Sequence, residues 1–276
     1  MMSNGHNAVS TGFAMWREAG RRAVTVRDEL ARRAGLARQP RPEGVSGPAA
    51  KFLWAELLAL GRRGGRVLAT QPAARPQPVM LLPGFGAHPA RMRRMERTLA
   101  AAGHRVHDWG LGFNLGPTPE NFAFLMRRVV ALARGHGAPV ALVGWSLGGL
   151  FAREIARRQP ENVACVITMG TPFSGDPRAN NAWRAYQMIT GHSVDEPPIE
   201  KALAEKPPVP TIALWSPRDG VIHPRSACGR KGERDRAVAL RCNHLSFPSD
   251  PAVIAEVLRQ LDWPTEPDGD PAIVQG

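Results

Sequence analysis

Lysine is almost missing from this chain. It occurs only at 51, 201, 206 and 231, so nearly all of the positive charge behind the formal net charge of +12 is arginine. Cysteine is just as sparse, at 165, 228 and 242, and three residues do not make a disulfide framework. Long apolar runs are absent too: stretches such as Ala138–Trp145 are far too short to cross a bilayer. The first twenty residues carry no apolar core followed by a small-residue cleavage site, so no secretory signal is legible and a cytoplasmic protein is expected. No histidine stands at a metal-ligand spacing from cysteine or carboxylate, so no metal site is expected.

What is present is an ordinary globular balance, 43% hydrophobic and 22% charged, in 276 residues. That length suits one domain with a large core. The basic surplus is compatible with nucleic acid, an anionic membrane surface or an acidic substrate. The arginines are scattered with no interleaved aromatics, which fits a general preference for arginine over lysine and ranks nucleic acid last.

Residues 1–47 form an Arg/Ala-rich extension that ends in the Pro/Gly-containing stretch Gln39–Pro48, a linker by composition. Within it, Phe13–Leu36 sets apolar residues among six arginines. This pattern suits a surface helix or an extension, and is also compatible with a basic amphipathic helix in peripheral membrane contact. Ala50–Arg62 reads as a short helix leading into the core.

From Pro78 onward short apolar runs alternate with longer mixed segments, the pattern of βαβ units and a mostly parallel sheet. The expected strands are Val79–Leu82, His104–His107, Val140–Gly144, Val163–Met169, Thr211–Trp215 and Arg236–Leu240. The expected helices are Ala90–Ala102, Glu120–Arg134, Leu147–Arg158 and Pro251–Leu261, with a further candidate at Asn180–Ile189. About forty residues separate the fourth and fifth strands, more than an ordinary connection needs.

Gly144-Trp145-Ser146-Leu147-Gly148 follows an apolar strand and opens a helix, the context that the G-x-S-x-G nucleophile elbow requires. A serine hydroxyl needs a neighbouring base, and the base an orienting acid, which in this arrangement follow in the order Ser, acid, His. Asp219 is the carboxylate in the turn after Thr211–Trp215, and His244 lies in the loop after Arg236–Leu240, with His223 as rival base. Negative charge on an attacked carbonyl oxygen calls for aimed N–H donors. Leu147 supplies one from the elbow; the Pro83-Gly84-Phe85-Gly86 turn supplies another, with Phe85 N–H preferred and Gly86 second.

The turn P-G-F-G, the segment W-G-L-G-F-N-L-G-P at Trp109–Pro117, G-W-S-L-G-G, and M-G-T-P-F at Met169–Phe173 together resemble bacterial esterases and lipases of the α/β-hydrolase superfamily. The resemblance covers roughly residues 75 to 262. It implies an α/β-hydrolase domain over 48–276 with a cap or lid insert at 170–208, and hydrolysis of small-molecule or lipid esters through an acyl-enzyme without a cofactor. The chain departs from many lipases in having Pro83-Gly84 in place of His-Gly, and lacks two early strands usual in larger members, which implies a reduced sheet. An acyltransferase with the same triad, or a non-catalytic membrane-associated module of this fold, are the alternatives.

Phe85, Trp109, Phe113, Trp145, Phe173, Trp183 and Met188 fall where they could rim the carboxyl edge of the sheet, and Trp145, Phe173, Trp183 and Trp109 are taken as substrate-binding candidates. The same residues could equally be packing beneath the insert. Cys228 and Cys242 flank the last strand; a bond between them would staple the loop of His244, but two free thiols are the default without a secretory signal.

Overall fold

The computed structural model describes residues 25–59, 65–199 and 202–263. Six strands form one parallel sheet: β1 (Pro78–Leu82), β2 (Arg105–Asp108), β3 (Val140–Trp145), β4 (Val163–Met169), β5 (Thr211–Trp215) and β6 (Arg236–Ala239), in the order β2-β1-β3-β4-β5-β6. The inner strands are apolar on both faces, because helices cover both sides of a parallel sheet. Val79, Leu81, Ala141, Val143 and Ile167 join the core on one face with Met95, Leu99, Ile254 and Val257. Met80, Leu82, Val140, Leu142 and Val166 join the other with Leu125, Val129, Phe151 and Ile155. Edge strands β2 and β6 bury less of themselves.

The helices are α1 (residues 25–38), α2 (Ala50–Ala59), α3 (Arg93–Ala101), α4 (Pro119–His136), α5 (Leu147–Arg158), α6 (Trp183–Thr190), α7 (Pro224–Cys228) and α8 (Pro251–Leu261). α4 starts at a capping box between Thr118 and Asn121, with Pro119 in its first turn, and stops at Gly137 in the left-handed region. The expected helix at Ala90–Ala102 is split: a 3-10 turn at Pro89–Met92, capped by His88, precedes α3. α6 begins three residues later than expected because Asn180 Oδ1 accepts from Ala182 N and holds a turn there. α7, capped by His223, was not anticipated. The sheet has the six strands expected. No helix among them is long and apolar enough to cross a membrane.

The chain runs from β1 outward to β2 and then back across to β3, so its direction along the sheet reverses between β1 and β3. Crevices at the carboxyl ends of strands open at such switch points. The loop after β1 carries Phe85, and the turn after β3 carries Ser146.

The segment preceding the sheet is laced to the insert between β4 and β5. Arg32 and Arg33 donate to the carbonyls of Gly191 and Ile189, Gln187 Nε2 to the carbonyl of Leu36, and Arg41 to that of Asn180. Two of the arginines on α1 thus serve contacts within the protein. The part of Phe13–Leu36 before residue 25 lies outside the described residues, as do 60–62 of the expected Ala50–Arg62 helix.

Candidate active site

β3 ends in a turn so tight that Ser146 adopts φ 54° and ψ −120°, alone among the described non-glycine residues in having positive φ. Neighbours without side chains make this possible. A Cβ on Gly148 would lie 2.2 Å from the Leu82 carbonyl oxygen, and one on Gly144 2.5 Å from the backbone of Gly149. Ser146 N donates to the Met169 carbonyl, so the elbow is fixed against β4. Arg153, two turns into α5 and fully buried, donates to the carbonyls of Leu203, Ala204, Glu205 and Glu233 and stacks on Phe173. It thereby ties the helix behind Ser146 to the far half of the insert. Burial pulls its guanidinium down to about 10, still charged at neutral pH.

Asp219 and His244 are both buried, and His244 Nδ1 lies 2.8 Å from Asp219 Oδ2. Since a carboxylate only accepts, this places the proton on Nδ1 and leaves Nε2 as the basic nitrogen. The other carboxylate oxygen of Asp219 accepts from Val221 N and Ile222 N, which fixes its orientation. Three further groups hold the loops. Ser216 Oγ donates to the Cys242 carbonyl at 2.6 Å, Trp145 Nε1 to the His244 carbonyl at 3.1 Å, and Glu56 accepts from His244 N. A Cβ on Gly170, next to the residue that anchors Ser146 N, would come 3.0 Å from both Asp219 Oδ2 and His244 Nδ1, so acid, base and elbow converge on one point. Ser146 Oγ and His244 Nε2 are not hydrogen-bonded to each other. His223 is engaged elsewhere, its Nδ1 accepting from Arg225 N at the start of α7.

The N–H groups of Phe85 and Leu147 donate to no acceptor among the described residues, whereas Gly86 N is committed to the Asn114 carbonyl at 2.7 Å. Asn114 is a residue that sequence reasoning passed over. Fully buried, it donates from Nδ2 to the Pro83 carbonyl and from its backbone N–H to the Ala87 carbonyl, so it brackets the Phe85 loop from both ends.

Ser146 and Leu147 open on an apolar cavity of about 120 Å³, lined also by Phe85, Leu150, Phe151 and Ile222. The insert supplies Pro172, Trp183, Tyr186 and Ile199 to the same cavity. Burial raises the Tyr186 phenol to about 12, so it stays neutral. Of the four substrate-binding candidates only Trp183 lines this space. Trp145 packs into the core beneath the sheet edge; Phe173 is sandwiched by Arg153; Trp109 lies against Phe151 with its N–H spent on the Leu111 and Gly112 carbonyls. Each satisfies its packing or hydrogen bonding inside the protein and so turns away from the cavity. Phe113 and Met188 are exposed.

The three cysteines are free. Burial, with the nearby carboxylates of Asp250, Asp219 and Glu56, drives the Cys242 thiol upward, so it stays protonated and unreactive. No group of three or more metal-binding side chains occurs among the described residues.

Residues 77–189 match the family model described as alpha/beta hydrolase fold. A pimeloyl-[acyl-carrier protein] methyl ester esterase from Aromatoleum aromaticum is 35% identical over 100 residues, a match spanning 28% of this chain and 40% of that protein. The chain thus spans well under half the length of that curated relative. Among solved structures, a soluble variant of monoglyceride lipase from Saccharomyces cerevisiae superimposes with a TM-score of 0.52 at 14% identity, over 74% of this chain and 97% of that one. The 2-hydroxy-6-oxo-6-phenylhexa-2,4-dienoate hydrolase of Rhodococcus sp. strain RHA1 gives 0.50 at 14% identity, over 67% and 89%. Aspergillus fumigatus lipase B gives 0.50 at 16% identity, over 83% and 65%. With its six parallel strands, its elbow after β3 and this match over residues 77–189, the chain has the α/β-hydrolase fold.

Proposed function

We propose that this protein hydrolyses carboxylic esters through an acyl-enzyme on Ser146. The observation that carries the reading is the buried Asp219–His244 bond beside a serine held at positive φ. His244 Nε2 takes the Ser146 proton as Oγ bonds to the ester carbonyl carbon. The N–H groups of Phe85 and Leu147 receive the oxyanion. The imidazolium then gives its proton to the departing alkoxide, leaving the acyl group on Ser146. Water repeats the sequence: His244 accepts its proton, hydroxide adds to the acyl carbon, and the acid leaves as Oγ is reprotonated. Asp219 holds the tautomer and steadies the imidazolium throughout. The missing Ser146–His244 hydrogen bond is compatible with this, because such contacts are often loose before substrate binds.

The apolar lining favours an acyl chain as the occupant of the cavity, and the insert serves as its cap. The test is turnover of p-nitrophenyl esters of graded chain length, with a fluorophosphonate probe to locate the nucleophile. Ser146→Ala should lose on the order of 10³-fold or more in kcat. Labelling of another residue, or full activity in the variant, overturns the reading. For the cap, Trp183→Ala should alter chain-length preference more than it alters turnover of the acetate ester; an unchanged preference removes the insert from substrate selection.

A further inference from the structure

Glu56 lies on α2, ahead of the sheet in sequence, yet the residue is buried at 1% exposure. No ion pair with a cationic side chain reaches it among the described residues. Three backbone N–H groups do: Oε1 accepts from Gly220 N at 2.9 Å and His244 N at 2.5 Å, and Oε2 from Leu245 N at 2.9 Å. Gly220 follows Asp219, and His244 is the base itself. One carboxylate therefore spans the loop of the acid and the loop of the base.

The surroundings are built for this contact. The backbone of α2 lies directly on Gly220, where a Cβ would meet the Phe52 carbonyl oxygen at 2.4 Å. Asn243 Nδ2 donates to the Ala55 carbonyl, and Asn181 Nδ2 donates to the carbonyls of both Pro48 and Gly220. Removing a carboxylate from water costs several kcal/mol unless strong donors replace the water. Three charge-assisted N–H bonds are such a replacement, and they leave both loops little freedom. Neutral packing would hold α2 in place at less expense, so a charge here argues for position rather than for burial alone.

We infer that Glu56 is a positioning residue, acting through Gly220, His244 and Leu245 to keep Asp219 and His244 at bonding distance. The inference rests on the proposed acyl-enzyme chemistry for its kinetic consequence, but its structural content stands apart from it. Glutamine offers one acceptor oxygen for Gly220 and His244, while its NH₂ would oppose Leu245 N–H, so Glu56→Gln is a partial replacement and Glu56→Ala a complete removal.

The experiment compares the full-length wild type with Glu56→Ala, Glu56→Gln and, as a control on the same helix, the exposed Leu58→Ser. It measures kcat and KM on a p-nitrophenyl ester, thermal midpoint, and NMR of the His244 Nδ1–H and of the 220, 244 and 245 amides. Glu56→Ala should lower kcat about 10²-fold with KM changed less than about threefold. The imidazole N–H resonance should weaken and the three amides lose protection at temperatures where the variant remains folded. Glu56→Gln should recover part of kcat, and Leu58→Ser should match the wild type. An unchanged imidazole resonance and protected loop amides in folded Glu56→Ala overturn the inference. So does a kcat loss equal to the unfolded fraction. Loss of amide protection in Glu56→Ala, together with a wild-type Ser146 that a fluorophosphonate fails to label, would instead sustain the clasp and reject the acyl-enzyme reading.

Discussion

Trp145 Nε1 donates to the backbone carbonyl of His244 at 3.1 Å, and the two rings lie 5.9 Å apart. The residue before the elbow serine thus anchors the loop of the histidine, across 99 positions of sequence. Trp145→Phe keeps the ring in the core and strands a buried carbonyl. It should cost about 1–3 kcal/mol of stability. Ester turnover should fall with little change in KM. Equal denaturation midpoints for variant and wild type would show that the bond contributes nothing to holding the loop.

Asn114 offers a second handle, on the oxyanion side. Its amide fixes Pro83, while its backbone fixes Gly86 and Ala87. Asn114→Ala should let the Phe85 N–H drift from the position of the developing charge and lower kcat by about 10- to 100-fold. Because the substrate cavity is lined by other residues, KM should hold. A variant that loses KM rather than kcat would mean that Asn114 shapes binding instead.

Ser146, Asp219 and His244 could be proposed from the sequence because each occupies a window defined by a neighbouring strand end: Ser146 after β3, Asp219 after β5, His244 after β6. All six strands came within a residue of their bounds; for the four inner ones the reason is related, since a strand buried on both faces is a continuous apolar run. The positioning groups were not legible. Glu56 meets its partners 164 and 188 residues away, and nothing in AKFLWAELLA marks one glutamate as buried. Asn114 sits in a glycine-rich segment whose composition says loop and no more. The aromatic residues were ambiguous for another reason. Trp109, Phe173 and Trp145 follow or close strands as Trp183 follows β4, and only the burial of their faces decides between rim and core.

Ser146 tests the backbone strain directly. Positive φ in a residue with a Cβ costs about 1–3 kcal/mol, and both Ser and Ala incur it. Ser146→Gly removes it, against a smaller entropic penalty of about 0.5–1 kcal/mol for the added freedom of the unfolded chain. Both variants should be inactive, but the glycine variant should melt higher than the alanine variant. The same or a lower midpoint for glycine would show that the elbow stores no strain.

Stability should depend on pH through histidines away from Ser146, Asp219 and His244. His104 is buried beside the start of β2, where its Nδ1 accepts from Gln77 N at 3.4 Å and its Nε2 has no partner among the described residues. Burial holds its pKa below the ordinary 6.5, only partly offset by the Asp262 carboxylate. The folded state therefore keeps the ring neutral at a pH where the unfolded chain already binds a proton. By linkage, stability is full above about 6.5 and declines as pH falls from there toward the folded pKa, below which this contribution levels off. His107 acts in the same direction: burial lowers it first, and His136, whose Nε2 lies 2.8 Å from its own, lowers it further. Urea midpoints measured from pH 8 to pH 5 should stay level and then fall. His104→Leu should shallow that fall without abolishing it, because His107 remains. Parallel curves for the variant and the wild type would mean that His104 protonates as readily in the fold as in the unfolded chain.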